Sequence, residues 1–190
     1  MSNLEHREQW TGQHKGIRFK IGRYMQKDYL YKGPDVPVWT YYIYIREQSL
    51  PADIRDDIIL TGEMKSLFGG IKTLCYDYMG SGLLRNLDWQ GGITFYGQHG
   101  GIYGQPITVE AGCDFNHSWD QGHQNSYTLE YIQGCCQRTI DDFIECVPNL
   151  KYWCNGNGNW YNADEGRFTD EGAFYSHAHA KDFEARKVEA

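Results

Sequence analysis

The chain is short of basic residues and of long apolar runs, and each shortage excludes a class of protein. Its 18 Lys and Arg residues are outnumbered by 25 Asp and Glu residues, which gives a formal charge of −7. General nucleic-acid binding is therefore not expected, because it relies on an excess of clustered basic side chains. No apolar run approaches the roughly 18 residues that a membrane helix needs, so no membrane partner is expected.

The six cysteines lack the spacing of a zinc site or of a disulfide framework. None stands in a C-x-x-C pair, which a zinc ribbon or finger requires. The first ten residues, MSNLEHREQW, contain no apolar segment of the kind that marks a secretory signal. We therefore expect a cytoplasmic protein whose cysteines stay reduced and pack as small hydrophobic residues.

Aromatic residues are abundant instead. Fifteen Tyr, six Trp and eight Phe make up 15% of the chain. Tyr and Trp join a stacking face to a polar tip, so they suit half-buried sheets and ligand pockets alike. Two interpretations stay open, a Tyr-rich antiparallel sheet and an aromatic-lined pocket or interface.

Hydrophobic periodicity predicts an α+β fold in a single domain over residues 1–190, a length sufficient for its own core. The strongest strand pattern is VWTYYIYIR at 38–46, rich in aromatic and β-branched residues. We expect an antiparallel, Tyr-rich sheet of roughly five to seven strands. The alternation of the run at 38–46 puts one set of side chains on a common face, namely Trp39, Tyr41, Ile43 and Ile45. Further β-type runs lie at 16–24, 71–78, 93–96 and 106–115.

One long amphipathic helix is predicted over residues 127–147, packed on a face of the sheet. Ser126 is expected to cap its start and Pro148 to end it. The NGNGN run at 155–159 predicts a hairpin turn, and the polar segment from about residue 165 is expected to fray. The apolar side chains of the helix recur at helical spacing: Ile132, Cys135, Cys136, Thr139, Ile140, Phe143, Ile144 and Val147.

Four ionisable side chains follow the run at 106–115 at a strict spacing of three. They are Asp114, His117, Asp120 and His123, which we call the Asp/His cluster. Imidazole and carboxylate ligands together suit zinc, manganese or iron, so a divalent metal is one candidate occupant. The surrounding Gly, Asn and Ser residues indicate a loop, in which Asp and His also serve as turn and capping residues. Both interpretations stay open.

A ligand pocket is also predicted beside this cluster. The runs at 93–96 and 108–113 are expected to be neighbouring strands joined by a glycine-rich loop, a pairing that brings Tyr96 and the cluster together if the sheet curls or a third strand intervenes. We expect the ligand-binding residues to be Tyr96, Asp114, His117, Trp119 and Asp120.

Recognised catalytic motifs are missing. The chain has no G-x-S-x-G elbow, no P-loop and no H-E-x-x-H. The run GQHGGIYGQ at 97–105 does not match a dinucleotide fingerprint and is more typical of a hairpin loop. A nucleophilic Cys113 beside His117 is a further alternative, because an imidazole activates a thiolate.

Three segments resemble a family of small proteins encoded by phages and prophages. They are WTYYI at 39–43, GGITFYG at 91–97, and GCDFNH at 112–117 followed by Asp120. That family carries a G-Y-[VI] strand, an H-G-G-[LI]-T-[YF]-x-G element and a G-[FC]-D-[CF]-x-H-x-x-D element before a helix. The resemblance spans residues 38–147, and Gln90 stands where the family usually has His. It implies a phage setting in the cytoplasm of a bacterial host, and no assigned activity.

Two functions remain open from the sequence. The first is a phage-type accessory or counter-defence protein that binds a small nucleotide-like ligand or a host protein, because Tyr and Trp stack on bases. The second is a metal-dependent hydrolase centred on the Asp/His cluster, in which the metal lowers the pKa of a bound water. The locally basic stretch that could face an anion contains Arg18, Lys20, Arg23 and Lys27.

Overall fold

A five-stranded antiparallel sheet with the order β1-β2-β3-β5-β4 forms the centre of the fold. The predicted α+β class and antiparallel sheet are confirmed, and the strand predicted at 71–78 lies outside the described residues. The strands are β1 (Glu8–His14), β2 (Ile17–Gln26), β3 (Val36–Arg46), β4 (Phe95–His99) and β5 (Thr108–Asp114). The computed structural model describes residues 8–27, 34–59, 82–101, 104–117, 120 and 122–180.

The two faces of the sheet differ in character, as the alternation in β3 predicts. Tyr42 and Tyr44 lie on the opposite side of β3 from the predicted apolar set. Glu110 of β5 pairs with Tyr44, so it shares that side, which we call the outer face. The predicted apolar set is at most 5% exposed and defines the core face: Trp39, Tyr41, Ile43 and Ile45.

A long helix, α2 (Leu129–Cys146), covers the core face and contacts β2 and β3. A shorter helix, α1 (Ala52–Ile58), follows β3. The predicted apolar stripe of α2 is confirmed, since burying it removes a wide apolar surface from water. Four of its side chains are fully buried at 0% exposure: Ile132, Cys136, Ile140 and Phe143.

The start of α2 differs from the prediction. Thr128, two residues after Ser126, is the N-cap, and its side chain accepts a hydrogen bond from the Tyr131 N–H. Ser126 instead ends a 3-10 turn, where its hydroxyl donates to the His123 carbonyl at 2.6 Å. Both are capping residue types, and the preceding turn decides which one caps the helix.

Two small hairpins follow α2. The first pairs β6 (Lys151–Trp153) with β7 (Trp160–Asn162), which confirms the predicted turn at 155–159. The second pairs β8 (Gly166–Phe168) with β9 (Phe174–Ser176), within the segment that we expected to fray. That expectation was wrong over these residues, because Phe174 is 1% exposed and stacks on Tyr152 at 5.5 Å. Residues 181–190 lie outside the described part.

Two further observations apply to the part of the chain that the structure describes. No helix there combines the length and the apolar character needed to cross a bilayer. Five cysteines fall within it, and all five are free thiols: Cys113, Cys135, Cys136, Cys146 and Cys154.

Candidate functional site

The spacing of three in the Asp/His cluster is the period of successive tight turns. The Asp120 N–H donates to the His117 carbonyl at 3.0 Å, and the His123 N–H donates to the Asp120 carbonyl at 2.9 Å. The Ser126 N–H then donates to the His123 carbonyl at 2.8 Å. Hydrogen bonds between residues three apart define such turns. The sequence pattern therefore reflects the backbone rather than a ring of ligands.

Asp120 is the centre of a buried hydrogen-bond network. Its side chain is fully buried, and Oδ2 accepts the His117 N–H at 3.0 Å and lies 3.1 Å from His117 Nδ1. Oδ1 accepts the Tyr127 hydroxyl at 2.6 Å. Burial, together with the hydrogen bond and charge of Asp120, raises the pKa of Tyr127, so its hydroxyl stays protonated and donates. Both carboxylate oxygens are thereby satisfied, as a buried carboxylate requires.

The other two members of the cluster lie apart from this network. Asp114 is half-buried at the end of β5, where its Oδ1 accepts the Asn116 N–H at 3.1 Å, and His123 is exposed. Among the described residues, no group of three or more His, Cys, Asp and Glu side chains is placed to hold a metal ion. The predicted metal site of Asp114, His117, Asp120 and His123 is therefore not assembled, because these residues shape turns and the Asp120 network. A ligand-binding role for Asp114, His117 and Asp120 stays a prediction.

Tyr96 lies on the core face, away from Asp114. It pairs with Ala111, is 1% exposed, and its hydroxyl donates to the Ile58 carbonyl at 2.6 Å. Asp114 follows Ala111 by three residues in β5 and so lies on the outer face. The prediction that Tyr96 and Asp114 share a pocket was therefore wrong, because residues an odd number of positions apart along a strand point to opposite faces of the sheet. Trp119, the other predicted aromatic wall, lies outside the described residues.

Cys113 does not have the properties of an activated nucleophile. Its side chain is 1% exposed on the core face, and burial raises the pKa of its thiol well above the usual value. Catalytic cysteines need access and a lowered pKa. The Cys113–His117 alternative therefore has no support in the structure.

A pocket opens at the Arg46 end of β3, on the outer face of the sheet, and none of the predicted site residues that the structure describes lines it. It lies between the β1–β2 hairpin and the β6–β7 hairpin and has a volume of about 510 Å³. Small-molecule sites commonly have volumes of this order. We call it the arginine–tryptophan pocket, and its charged and aromatic lining consists of Arg18, Tyr44, Arg46, Lys151, Trp153, Trp160 and Glu171.

The turn of the β1–β2 hairpin is held against β6, and this contact forms the pocket. Lys15 and Gly16 have φ of +43° and +77°, the backbone of a two-residue type I′ turn. The Gly16 N–H donates to the Gly172 carbonyl at 2.7 Å, and a Cβ on Gly16 would lie only 2.8 Å from the Tyr152 ring. Glycine therefore permits the close approach that brings Arg18 beside the β6–β7 hairpin.

Two tryptophan rings hold the Arg46 side chain. The guanidinium carbon lies 5.4 Å from the ring centroid of Trp153 and 5.8 Å from that of Trp160. The two rings are 5.5 Å apart at an angle of 66°. Cation–π contacts stabilise the position of a guanidinium without a carboxylate partner.

The two arginines of the pocket, Arg18 and Arg46, have no carboxylate partner in the part of the chain that the structure describes. Burial and, after it, the charge of Arg18 lower the pKa of Arg46. Among the described lining residues, Lys151 is the third cation and Glu171 the one carboxylate, which gives these residues a formal charge of +2. A chain of net charge −7 thus carries a locally cationic cavity.

A carboxylate network borders this pocket on the outer face. Glu110 is 8% exposed, and its Oε1 accepts hydrogen bonds from Lys20 Nζ at 2.8 Å and the Tyr44 hydroxyl at 2.9 Å. Its Oε2 lies 2.9 Å from His99 Nε2. Burial raises the pKa of Glu110, but the hydrogen bonds from Lys20, His99 and Tyr44 outweigh it and leave the pKa lowered. Because Tyr44 also lines the pocket, the network fixes one of its walls.

Among the charged and aromatic residues that line this pocket, only Arg18 was expected from the sequence to face an anion. Arg18 belongs to the basic stretch, but Arg46 was only the end of a strand, and Trp153 and Trp160 only flanked a turn. The alternation of β3 puts Arg46 on the same face as Tyr44, and that signal was available. The docking of the β6–β7 hairpin beside β3 is a long-range contact that no local pattern predicts.

Comparisons with known proteins add no evidence on function. No protein-family model matches the chain, and no curated protein or solved structure matches it either. The resemblance to small phage proteins stays a prediction. Function must therefore be inferred from the chain's own residues.

Proposed function

We propose that this protein binds a small nucleotide-like anion and that the ligand occupies the arginine–tryptophan pocket. One observation carries the proposal: Arg18 and Arg46, which form no ion pair within the described residues, line one cavity with the exposed Trp153 and the half-buried Trp160. Arginine binds phosphate through paired N–H donors. Tryptophan stacks on the flat face of a base. The pocket offers both partners to one molecule.

The distribution of charge favours a small ligand over a nucleic-acid polymer. The chain as a whole is negative and repels a long polyanion, whereas the pocket is locally positive. A field of this form concentrates a small anion at the cavity. Polymer binding depends on an excess of basic side chains along the nucleic acid, whereas acidic side chains outnumber basic ones in this chain.

A binding protein of this kind would suit the phage accessory or counter-defence role, in the cytoplasm of a bacterial host, that the family resemblance implies. Binding of a host protein is the other form of that role, and the cavity favours the small ligand. No specific observation favours the metal-dependent hydrolase, since the Asp/His cluster that would carry it is engaged in turns and in the Asp120 network.

Replacing either arginine of the pocket is expected to weaken nucleotide binding. Arg18→Gln and Arg46→Gln should each lower the affinity for a nucleoside 5′-monophosphate by about 10- to 100-fold. The reason is that a hydrogen bond to a charged group is worth roughly 1.5–3 kcal/mol. Isothermal titration calorimetry of the wild type and both variants measures the change.

Arg85→Gln is the matched control for both variants. It removes the same charge from an exposed side chain in the 3-10 turn Leu83–Asn86, and that turn does not line the pocket. This variant should bind as the wild type does, and thermal unfolding of all the proteins checks that each one is folded. Equal affinities of folded wild type, Arg18→Gln and Arg46→Gln would contradict the proposed site. Absence of nucleotide binding by the wild type would contradict the proposed function.

A further inference from the structure

We propose that the ligand of the arginine–tryptophan pocket carries a terminal phosphate, a phosphomonoester dianion such as a nucleoside 5′-monophosphate, in preference to the singly charged diester of a cyclic nucleotide. This inference rests on the proposed function and specifies the chemical class of the ligand.

The first argument is the match of charge. Three cations, Arg18, Arg46 and Lys151, and one carboxylate, Glu171, give the lining a formal charge of +2. Arg46 is half-buried, and partly buried charges are stabilised best by a partner of equal and opposite charge. A dianion neutralises the formal charge of these residues, whereas a cyclic diester, with one negative charge, leaves a net charge of +1.

The second argument is the position of the two guanidinium groups. Arg18 in β2 pairs with Tyr44 in β3, and Arg46 follows Tyr44 by two residues on the same face. Arg18 and Arg46 are therefore diagonal neighbours across two strands, a relation that puts Cβ atoms roughly 7–8 Å apart. Both side chains line the same cavity and are long enough to reach a group between them, and each guanidinium can donate two hydrogen bonds. A terminal phosphate has three free oxygens to accept them, and a diester has two.

The third argument is the arrangement of the remaining lining residues. Trp153 is 37% exposed and offers a surface for a base. Glu171 also lines the pocket, and because a carboxylate has several lone pairs it can accept from a sugar hydroxyl or a base amino group besides its own contact in the fold. One cationic end, one aromatic wall and one acceptor correspond to the phosphate, base and sugar of a single nucleotide.

The test compares a phosphomonoester with the cyclic diester in which the same phosphate also esterifies the 3′-hydroxyl, and the pH dependence described below separates the effect of phosphate charge from that of the lost hydroxyl. For each of the four common bases, the nucleoside 5′-monophosphate and its 3′,5′-cyclic monophosphate are titrated into the full-length protein by calorimetry. Near neutral pH, the monoester of the preferred base should bind at least about tenfold more tightly, as one additional charge-assisted contact predicts. The Arg18→Gln and Arg46→Gln variants should lose this preference, and Arg85→Gln should keep it.

A second experiment measures the same affinities at two pH values. The second phosphate pKa is about 6, so the monoester should bind more weakly at about pH 5.5 than at about pH 7.5, as the dianion takes up a proton. The charged and titratable side chains that line the pocket are Arg18, Arg46, Lys151, Tyr44 and Glu171, with no histidine among the described lining residues. The cyclic diester keeps its charge over this range, so its affinity measures any titration of the protein itself.

The outcomes separate the inference from the proposed function. A preference for the monoester that narrows on acidification supports the inference. Equal affinities, or tighter binding of the cyclic form, would overturn the inference and leave the nucleotide-binding function in place. If neither form binds for any base, the proposed function fails as well.

Discussion

The Asp120→Ala variant is expected to lose about 3 kcal/mol of unfolding free energy. This value lies within the range for substitutions that break a buried, hydrogen-bonded carboxylate network. The Asp120 carboxylate accepts the His117 N–H and the Tyr127 hydroxyl in a fully buried position. Without it, two part-buried donors lose their acceptor. For a protein of this size the melting temperature should fall by roughly 6–12 °C. Urea denaturation and differential scanning calorimetry measure the two quantities.

Asp114→Asn is the comparison that isolates the network. Asp114 is half-buried, and an amide oxygen in its place can still accept the Asn116 N–H. Its expected cost is therefore below about 1 kcal/mol, as for most substitutions away from buried polar networks. Similar losses of unfolding free energy in Asp120→Ala and Asp114→Asn would show that the Asp120 network stabilises the fold no more than the Asp114 side chain does.

The Glu110→Gln variant is expected to lose about 2 kcal/mol at neutral pH, since charge-assisted hydrogen bonds are replaced by weaker neutral ones. Glu110 accepts from Lys20 and Tyr44 and contacts His99, and its own side chain is nearly buried. Because Lys20 and His99 are partly exposed, the loss should be smaller than that of Asp120→Ala. Denaturant unfolding of the wild type and the variant tests this value.

The same variant should also change how stability depends on pH. The folded pKa of Glu110 is lowered, so its carboxylate stabilises the wild type above the unfolded pKa of about 4.3. That contribution is lost as the pH falls through the folded value. Glu110→Gln should therefore show a shallower loss of stability in acid. Part of the acid sensitivity should remain, because Lys15 and His14 outweigh burial and lower the pKa of Asp141 as well. An unchanged acid profile in Glu110→Gln would contradict this assignment.

The elements with strong local patterns could be predicted from the sequence. The alternation of β3 identified its core face, and the helical stripe of α2 identified four fully buried residues. In both elements the periodicity of the side chains matches the geometry of the backbone, so local pattern and tertiary packing agree. The NGNGN hairpin was predictable for the same reason, because its turn chemistry is local.

The candidate site was less predictable, for two physical reasons. Tyr96 and Asp114 are close in the sheet, but the parity of each strand puts their side chains on opposite faces, and parity depends on register. The arginine–tryptophan pocket depends on contacts between distant segments, since Arg18 and Trp153 are separated by most of the chain. The spacing of the Asp/His cluster was conspicuous because tight turns repeat every three residues, which is also a spacing that suggests ligands.

The most direct test of the proposed pocket follows the indole N–H signals of the six tryptophans by NMR while a nucleoside 5′-monophosphate is added. Trp153 and Trp160 line the pocket, so their signals should shift as the ligand binds. The signals of Trp39 and Trp89 should stay in place, because both side chains are buried in the core. A shift of the Trp119 signal, with Trp153 and Trp160 unmoved, would contradict the account and move the ligand to the Asp/His cluster.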